Sequence, residues 1–230
     1  MNQTVMQAAA LIVPLVFAIV FHEVAHGWVA RALGDPTASE LNRLSLNPLR
    51  HVDPVGTVIL PGMLALAKAP VFGWAKPVPI DARRLRNPRR DMMLVAAAGP
   101  GMNLAMGALS AVLLGLLARA YGGVQEPTGP VLFVRDNLVN FIQLNVFLAL
   151  FNLIPIPPFD GSHIMEGLLP RALARPYARI RQFGMLLPIL LLIVLPSLIP
   201  SFDLLQVVYG PFEWVIGLYR DLAAMVSGGG

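Results

Sequence analysis

The chain contains no cysteine. Disulfides and thiolate ligands are therefore excluded, and any bound metal must be held by imidazole, carboxylate or water. Charge is scarce as well: Asp, Glu, Lys and Arg make up 13% of 230 residues, against 56% hydrophobic, and the mean hydropathy is +0.67. Soluble globular domains carry about twice that share of charge, so the composition describes an integral membrane protein. No Lys or Arg precedes the first apolar run, MNQTVMQAAALIVPLVFAIVF. The basic start of a secretory signal is missing, and no cleaved leader is expected. Nucleic acid is not expected as a partner either. The net charge is +4, but the arginines gather between apolar segments with no nucleic-acid motif beside them, which suits orientation in a bilayer. No internal repeat is visible.

Apolar stretches long enough to cross a bilayer cover residues 7–33, 91–120, 138–156, 183–200 and 204–225. A shorter one, residues 55–69, is interrupted by Pro61-Gly62. Basic residues concentrate in two loops, Lys76 to Arg90 and Arg171 to Arg181, and the positive-inside rule makes both cytoplasmic. The first helix then runs from outside to inside. A single full crossing by residues 55–69 would put Lys76 on the wrong side, so that segment reads as re-entrant, with a spanning helix as the alternative. Residues 41–48, LNRLSLNP, alternate and close on a proline, which reads as an edge strand or ribbon, or else as an interfacial loop. The expected fold is an all-α polytopic membrane protein with five to six transmembrane helices, a short re-entrant segment and a small β ribbon near the active site. It forms a single domain over residues 1–226, with its core in 8–170 and C-terminal helices in 183–225, followed by a flexible tail at 227–230.

Between Ala8 and Val29 the only ionisable side chains are His22, Glu23 and His26. Such groups at membrane depth are costly and mark function. They spell HExxH. On a helix, residues four apart share a face, so both imidazoles can bind one zinc ion while Glu23, one step round, is placed as the general base.

A catalytic zinc needs a third protein ligand and an open position. Asp160 stands out because Pro155, Pro157 and Pro158 precede it. Three prolines in four positions stop a helix, which frees Asp160 to turn inward, and Gly161 allows close backbone approach. By the charge count, Asp160 arrives at the same cytoplasmic end as His22 and His26. His163, three residues on, and His51, in the turn-like RHVDP, are the competing third ligands.

HEVAH in one membrane helix and NLIPIPPFDG at the end of a later one resemble the site-2 protease family of intramembrane zinc metalloproteases. Gly99-Pro100-Gly101-Met102-Asn103 is similar to that family's Gly-Pro-x-x-Asn element, and LNRLSLNPLRHVDPVGT with FGWAKPVPI looks like its compact bacterial branch without a PDZ-type domain. The resemblance covers residues 10–170. It implies one zinc per chain on His22, His26 and Asp160, Glu23 as the base, and Asn152 holding substrate or the developing oxyanion. It also implies a single-span membrane protein as substrate, contact with membrane lipids, and residence in a bacterial plasma membrane with the active site toward the cytoplasm. A substrate unwound from its helix could add as a strand along residues 41–48. The rival reading is a metal transporter or channel using the same cluster, but transporters spread polar groups along several helices and often carry repeats.

Single cysteines introduced near Arg84 and near Arg179 should react with an impermeant thiol reagent from the same, cytoplasmic side. Opposite accessibility of the two positions would overturn the orientation.

Overall fold

The computed structural model describes residues 3–59, 62, 63, 66, 75–121, 128–184, 186–199 and 204–228. Three long helices form its centre: α1 (Gln3–Ala32), α3 (Pro88–Tyr121) and α4 (Gly129–Asn152). A short α2 (Thr37–Glu40) follows α1, and α5 (Asp160–Leu168) and α6 (Arg171–Arg179) follow α4. The short pieces α7 (Leu186–Ile189) and α8 (Leu195–Leu198) are joined by a wider turn, Leu190–Val194, and α9 (Leu204–Ser227) closes the chain. α1, α3 and α4 pack against one another, α5 lies on α3, and α9 lies against α3 and α4.

The bundle's outer faces are apolar, and a few amides and hydroxyls lie among its apolar interior residues. Leu11, Ile12 and Val13 on α1, Leu109, Leu113 and Leu116 on α3 and Phe147 on α4 face outward, while Asn103, Ser110 and Asn145 are buried. Apolar side chains outside and amides inside are stable in lipid, where the surroundings are as apolar as leucine and polar groups must find partners within the protein. Three helices among the described residues are long and apolar enough to cross a membrane: Ala9–Ala32, Pro88–Tyr121 and Gly129–Asn152.

Two other expected crossings are not matched in this way. Over residues 183–200 the chain breaks into helical pieces of four and five residues, with Pro188 and Pro196 among them. α9 is 24 residues long but includes Glu213, Arg220 and Asp221. Of residues 55–69, most lie outside the described residues; Pro54–Ile59 forms a wide helical turn. No strand occurs among the described residues, so the expected β ribbon at 41–48 is not seen there. Its backbone groups go to side chains instead: Arg50 donates to Asn42 O at 3.0 Å and His51 Nε2 pairs with Ser45 O at 2.7 Å. Arg43 reaches across to Lys76 O at 3.0 Å. An alternating eight-residue string forms a ladder only when a neighbour presents free N–H and C=O groups in register. The adjacent run Lys76-Pro77-Val78-Pro79 lacks two of the N–H groups a ladder would need.

The end of α1 is fastened to the start of α3 by one buried carboxylate. Asp35 accepts from Thr37 N at 3.0 Å, from the Thr37 hydroxyl and from Asp81 N at 2.7 Å, and Arg86 N donates to Leu33 O at 3.2 Å. This clasp sets the two helices in register. His26 lies six residues before the end of α1, and Val95 and Gly99 lie seven and eleven residues after the start of α3. At 1.5 Å per residue these positions come to similar depths, about 9 Å for His26 and about 10 Å for Val95.

Asp35→Ala should leave the N–H groups of Thr37 and Asp81 without their acceptor and lower stability by about 2–4 kcal/mol. Thermal unfolding of the purified protein in detergent measures this, and an unchanged midpoint would show that the clasp contributes nothing.

Candidate metal centre

HExxH lies on α1 as the spacing requires. His22 and His26 are both buried, with their ring planes nearly perpendicular at 88°. Asp160 is the first residue of α5, delivered by the turn that the prolines impose after Asn152. Gly161 is needed in that turn, because a Cβ there would fall on the carbonyls of Leu153 and Ile154. The three side chains then meet. His22 Nε2 lies 3.1 Å from His26 Nε2 and 3.1 Å from Asp160 Oδ2, and His26 Nε2 lies 3.3 Å from Asp160 Oδ2. Among the described residues these are the His, Cys, Asp and Glu side chains that gather closely enough to hold a metal ion.

The donor set fits zinc. Four ligands around a tetrahedral zinc at 2.0–2.1 Å stand about 3.3 Å from one another, which matches the edges of this triangle. The hydrogen-bond pattern makes the same point independently. His26 Nδ1 donates to Val95 O at 2.7 Å, and His22 Nδ1 lies 2.5 Å from Asn103 Oδ1. With both Nδ1 atoms carrying hydrogen, both Nε2 atoms present lone pairs toward a carboxylate oxygen, and Asp160 Oδ2 is buried without a hydrogen-bond donor. Three electron-rich atoms at this distance repel unless a cation lies among them. In the metal-free chain a proton can serve. A metal ion competes for the place that proton takes.

The remaining sequence candidates fall around this point. Glu23 Oε2 accepts from Val78 N at 2.9 Å, so the extended run after Ala75 holds one oxygen of the carboxylate and leaves the other. Asn152, the last residue of α4, spends one amide N–H on Leu148 O at 2.9 Å and keeps a second. His163 does not join the triangle; Arg181 donates to its Nδ1 at 3.3 Å, and burial followed by the Arg181 charge lowers its pKa. His51 is also outside it, buried in the loop after α2 and bonded to Ser45 O.

Three contributors carry no metal-ligand chemistry of their own. Gly99 on α3 faces the imidazoles so closely that a Cβ would fall on His26 and His22. Val95 supplies a carbonyl, which no side-chain pattern reveals. Asn103, the last residue of the Gly-Pro-x-x-Asn element, contacts His22 of the triangle; its polar side chain in an apolar helix is the available signal.

Fold and site together describe a chain with helices apolar enough to cross a membrane and a two-histidine, one-carboxylate cluster that could hold a metal ion. The profile of Peptidase family M50 matches residues 10–195. "Putative zinc metalloprotease YwhC" of Bacillus subtilis is 37% identical over 184 residues, which cover 80% of this chain and 80% of that protein. "Putative zinc metalloprotease Rip2" of Mycolicibacterium smegmatis is 30% identical over 209 residues, 91% of this chain and 73% of the relative. Its Mycobacterium tuberculosis counterpart is 31% identical over 206 residues, 90% of this chain and 73% of the relative. No solved structure matches. The chain belongs to peptidase family M50, the site-2 protease family, and is a zinc metalloprotease.

Gly99→Ala should weaken zinc binding about tenfold or more while touching no ligand, because the added methyl displaces both imidazoles. Helix content should stay unchanged, since alanine favours helix. Zinc titration with circular dichroism on the same sample checks both, and full zinc affinity would show that α3 does not confine the rings.

Proposed function

We propose that this metalloprotease works within the bilayer, hydrolysing peptide bonds of single-span membrane proteins inside or next to the lipid. The observation that supports this reading is the convergence of His22 Nε2, His26 Nε2 and Asp160 Oδ2 in a bundle whose outer faces are apolar. In this reading those three residues hold one zinc ion per chain and leave one position open. When bound there, zinc polarises the scissile carbonyl and makes water acidic enough to attack at neutral pH.

The other steps belong to the chain's own residues. Glu23 takes the proton of the attacking water on the carboxylate oxygen that Val78 leaves unbound and returns it to the departing amine. Asn152 offers its second N–H to the substrate carbonyl as charge develops on oxygen. A helical substrate shields its carbonyls in i to i−4 hydrogen bonds, so it must unwind before attack. Residues 41–48, which turn at Leu41-Asn42 and then run without regular structure to Asn47, are the place where the unwound strand would add.

The basic ends of α1 and α3, with Arg31, Arg89 and Arg90, face the cytoplasm in this reading, and water reaches the centre from that side. The C-terminal helices supply the fourth and fifth crossings, residues 55–69 re-enter, lipid covers the apolar faces, and the membrane is the bacterial plasma membrane. A transport role has less support, because the ionisable groups gather at one point rather than along a path.

Glu23→Gln should retain about one zinc per chain and lose cleavage of a co-expressed single-span protein by about 10²-fold or more, because the base is not a ligand. Asp160→Asn should lose both, whereas His163→Ala and His51→Ala should each keep the metal. Zinc loaded in Asp160→Asn but missing from either histidine variant would overturn the ligand set. Turnover of soluble peptides with no cleavage of membrane-inserted substrate would overturn the intramembrane reading.

A further inference from the structure

We infer that Asn145 and Asn103 form a relay of positioning residues that sets the tautomer of His22 and so makes its Nε2 a metal ligand. The inference rests on the reading of His22, His26 and Asp160 as the zinc site. Both asparagines are fully buried, at 0% exposure, on helices that face lipid elsewhere. An unpaired amide there is costly, so each is held to the partners it has.

The two ends of an amide are alike in shape and opposite in hydrogen-bonding sense, so its orientation is fixed only by a partner that cannot change roles. For Asn145 that partner is the carbonyl of Phe141, 2.7 Å from Nδ2. A carbonyl only accepts. Asn145 therefore turns its oxygen toward Asn103, whose Nδ2 donates to it at 2.7 Å and to Ala18 O at 3.1 Å. With its nitrogen committed to two acceptors, Asn103 presents oxygen to His22 Nδ1. The hydrogen of the neutral His22 ring must then sit on Nδ1, and the nitrogen turned toward Asp160 and His26 is a lone pair.

His26 receives the same instruction from the Val95 carbonyl directly. One ligand tautomer is thus written in the backbone of α3. The other is written in two side chains, one on α3 and one on α4, and depends on how those helices pack. Without the Asn103 oxygen, the His22 hydrogen can move to Nε2 and donate to Asp160 Oδ2, which lies 3.1 Å away. That bond closes the triangle against a metal ion.

The test uses the full chain in lipid bilayers, with ¹⁵N-labelled histidine. Solid-state NMR reads the His22 tautomer after zinc is stripped, and chelator competition reads zinc affinity. Asn103→Leu should move the metal-free ring from Nδ1–H to Nε2–H and weaken zinc about 10–100-fold. Asn103→Asp should rescue affinity to within about threefold. Its carboxyl has the amide's shape and offers His22 Nδ1 an acceptor oxygen in place of the amide oxygen. Asn145→Leu leaves every atom that touches His22 in place, and should shift the tautomer in part and weaken zinc about 3–10-fold.

An unchanged tautomer in Asn103→Leu overturns the relay, even if zinc is lost, since a packing defect alone would do that. Should Asn103→Leu fail to fold, Asn145→Leu decides on the same two readouts. Failure of the wild-type chain to bind zinc would overturn the metal reading instead, and the tautomer measurement on the stripped protein would still judge the relay.

Discussion

The structure is organised around a repulsion. Two imidazole nitrogens and a carboxylate oxygen are held within 3.3 Å of one another inside the bundle, and their mutual repulsion is relieved by a metal ion or by a shared proton. Much of the surrounding chain exists to keep them there. The proline turn after α4 delivers Asp160, and Gly161 lets the turn close on its own carbonyls. On the opposite side, α3 comes close enough to confine both rings because residue 99 has no side chain. The bundle does not relax the repulsion by drifting apart, since interiors this closely packed have few empty spaces to drift into.

In a bundle with apolar outer faces, this confinement depends on contacts between the helices. Lipid gives no hydrophobic drive to bring helices together, so association relies on close packing and on polar contacts between helices. Asn140 on α4 donates to Ala10 O on α1 at 2.7 Å, and Tyr219 on α9 donates to Leu104 O on α3 at 2.7 Å. Each contact ties a side chain on one helix to the backbone of another. The amides around the metal centre thus belong to the same set of contacts that assembles the helices, so fold and site share their fastenings.

Outside the triangle, the run Lys76-Pro77-Val78-Pro79-Ile80 shows how an irregular segment can be specific. The two prolines have no N–H, which leaves Val78 as the single donor between them, and that donor meets Glu23. The same run is anchored by Lys76 N to His51 O at 2.8 Å and by Arg43 to Lys76 O. His51, a competitor for the zinc in the sequence, stands outside the triangle: its backbone carbonyl accepts from Lys76 N and its ring pairs with Ser45 O.

What the sequence by itself determined is local. A spacing of four between His22 and His26 puts both rings on one helix face, and the run of Pro155, Pro157 and Pro158 ends a helix, because helical geometry and the missing N–H act over a few residues. The apolar runs announced α1, α3 and α4 for the same reason. Tertiary structure decided the rest. The alternation in residues 41–48 did not produce a strand among the described residues, because a ladder depends on a partner edge that the alternation cannot supply. Gly99 sits against His26 across 73 positions of chain, and Asn103 reaches Asn145 across 42. No periodicity records such pairings. They arise when the Asp35 clasp and the packing of α1, α3 and α4 bring distant residues to one depth, and only then does a buried amide acquire the partner that fixes which way it turns.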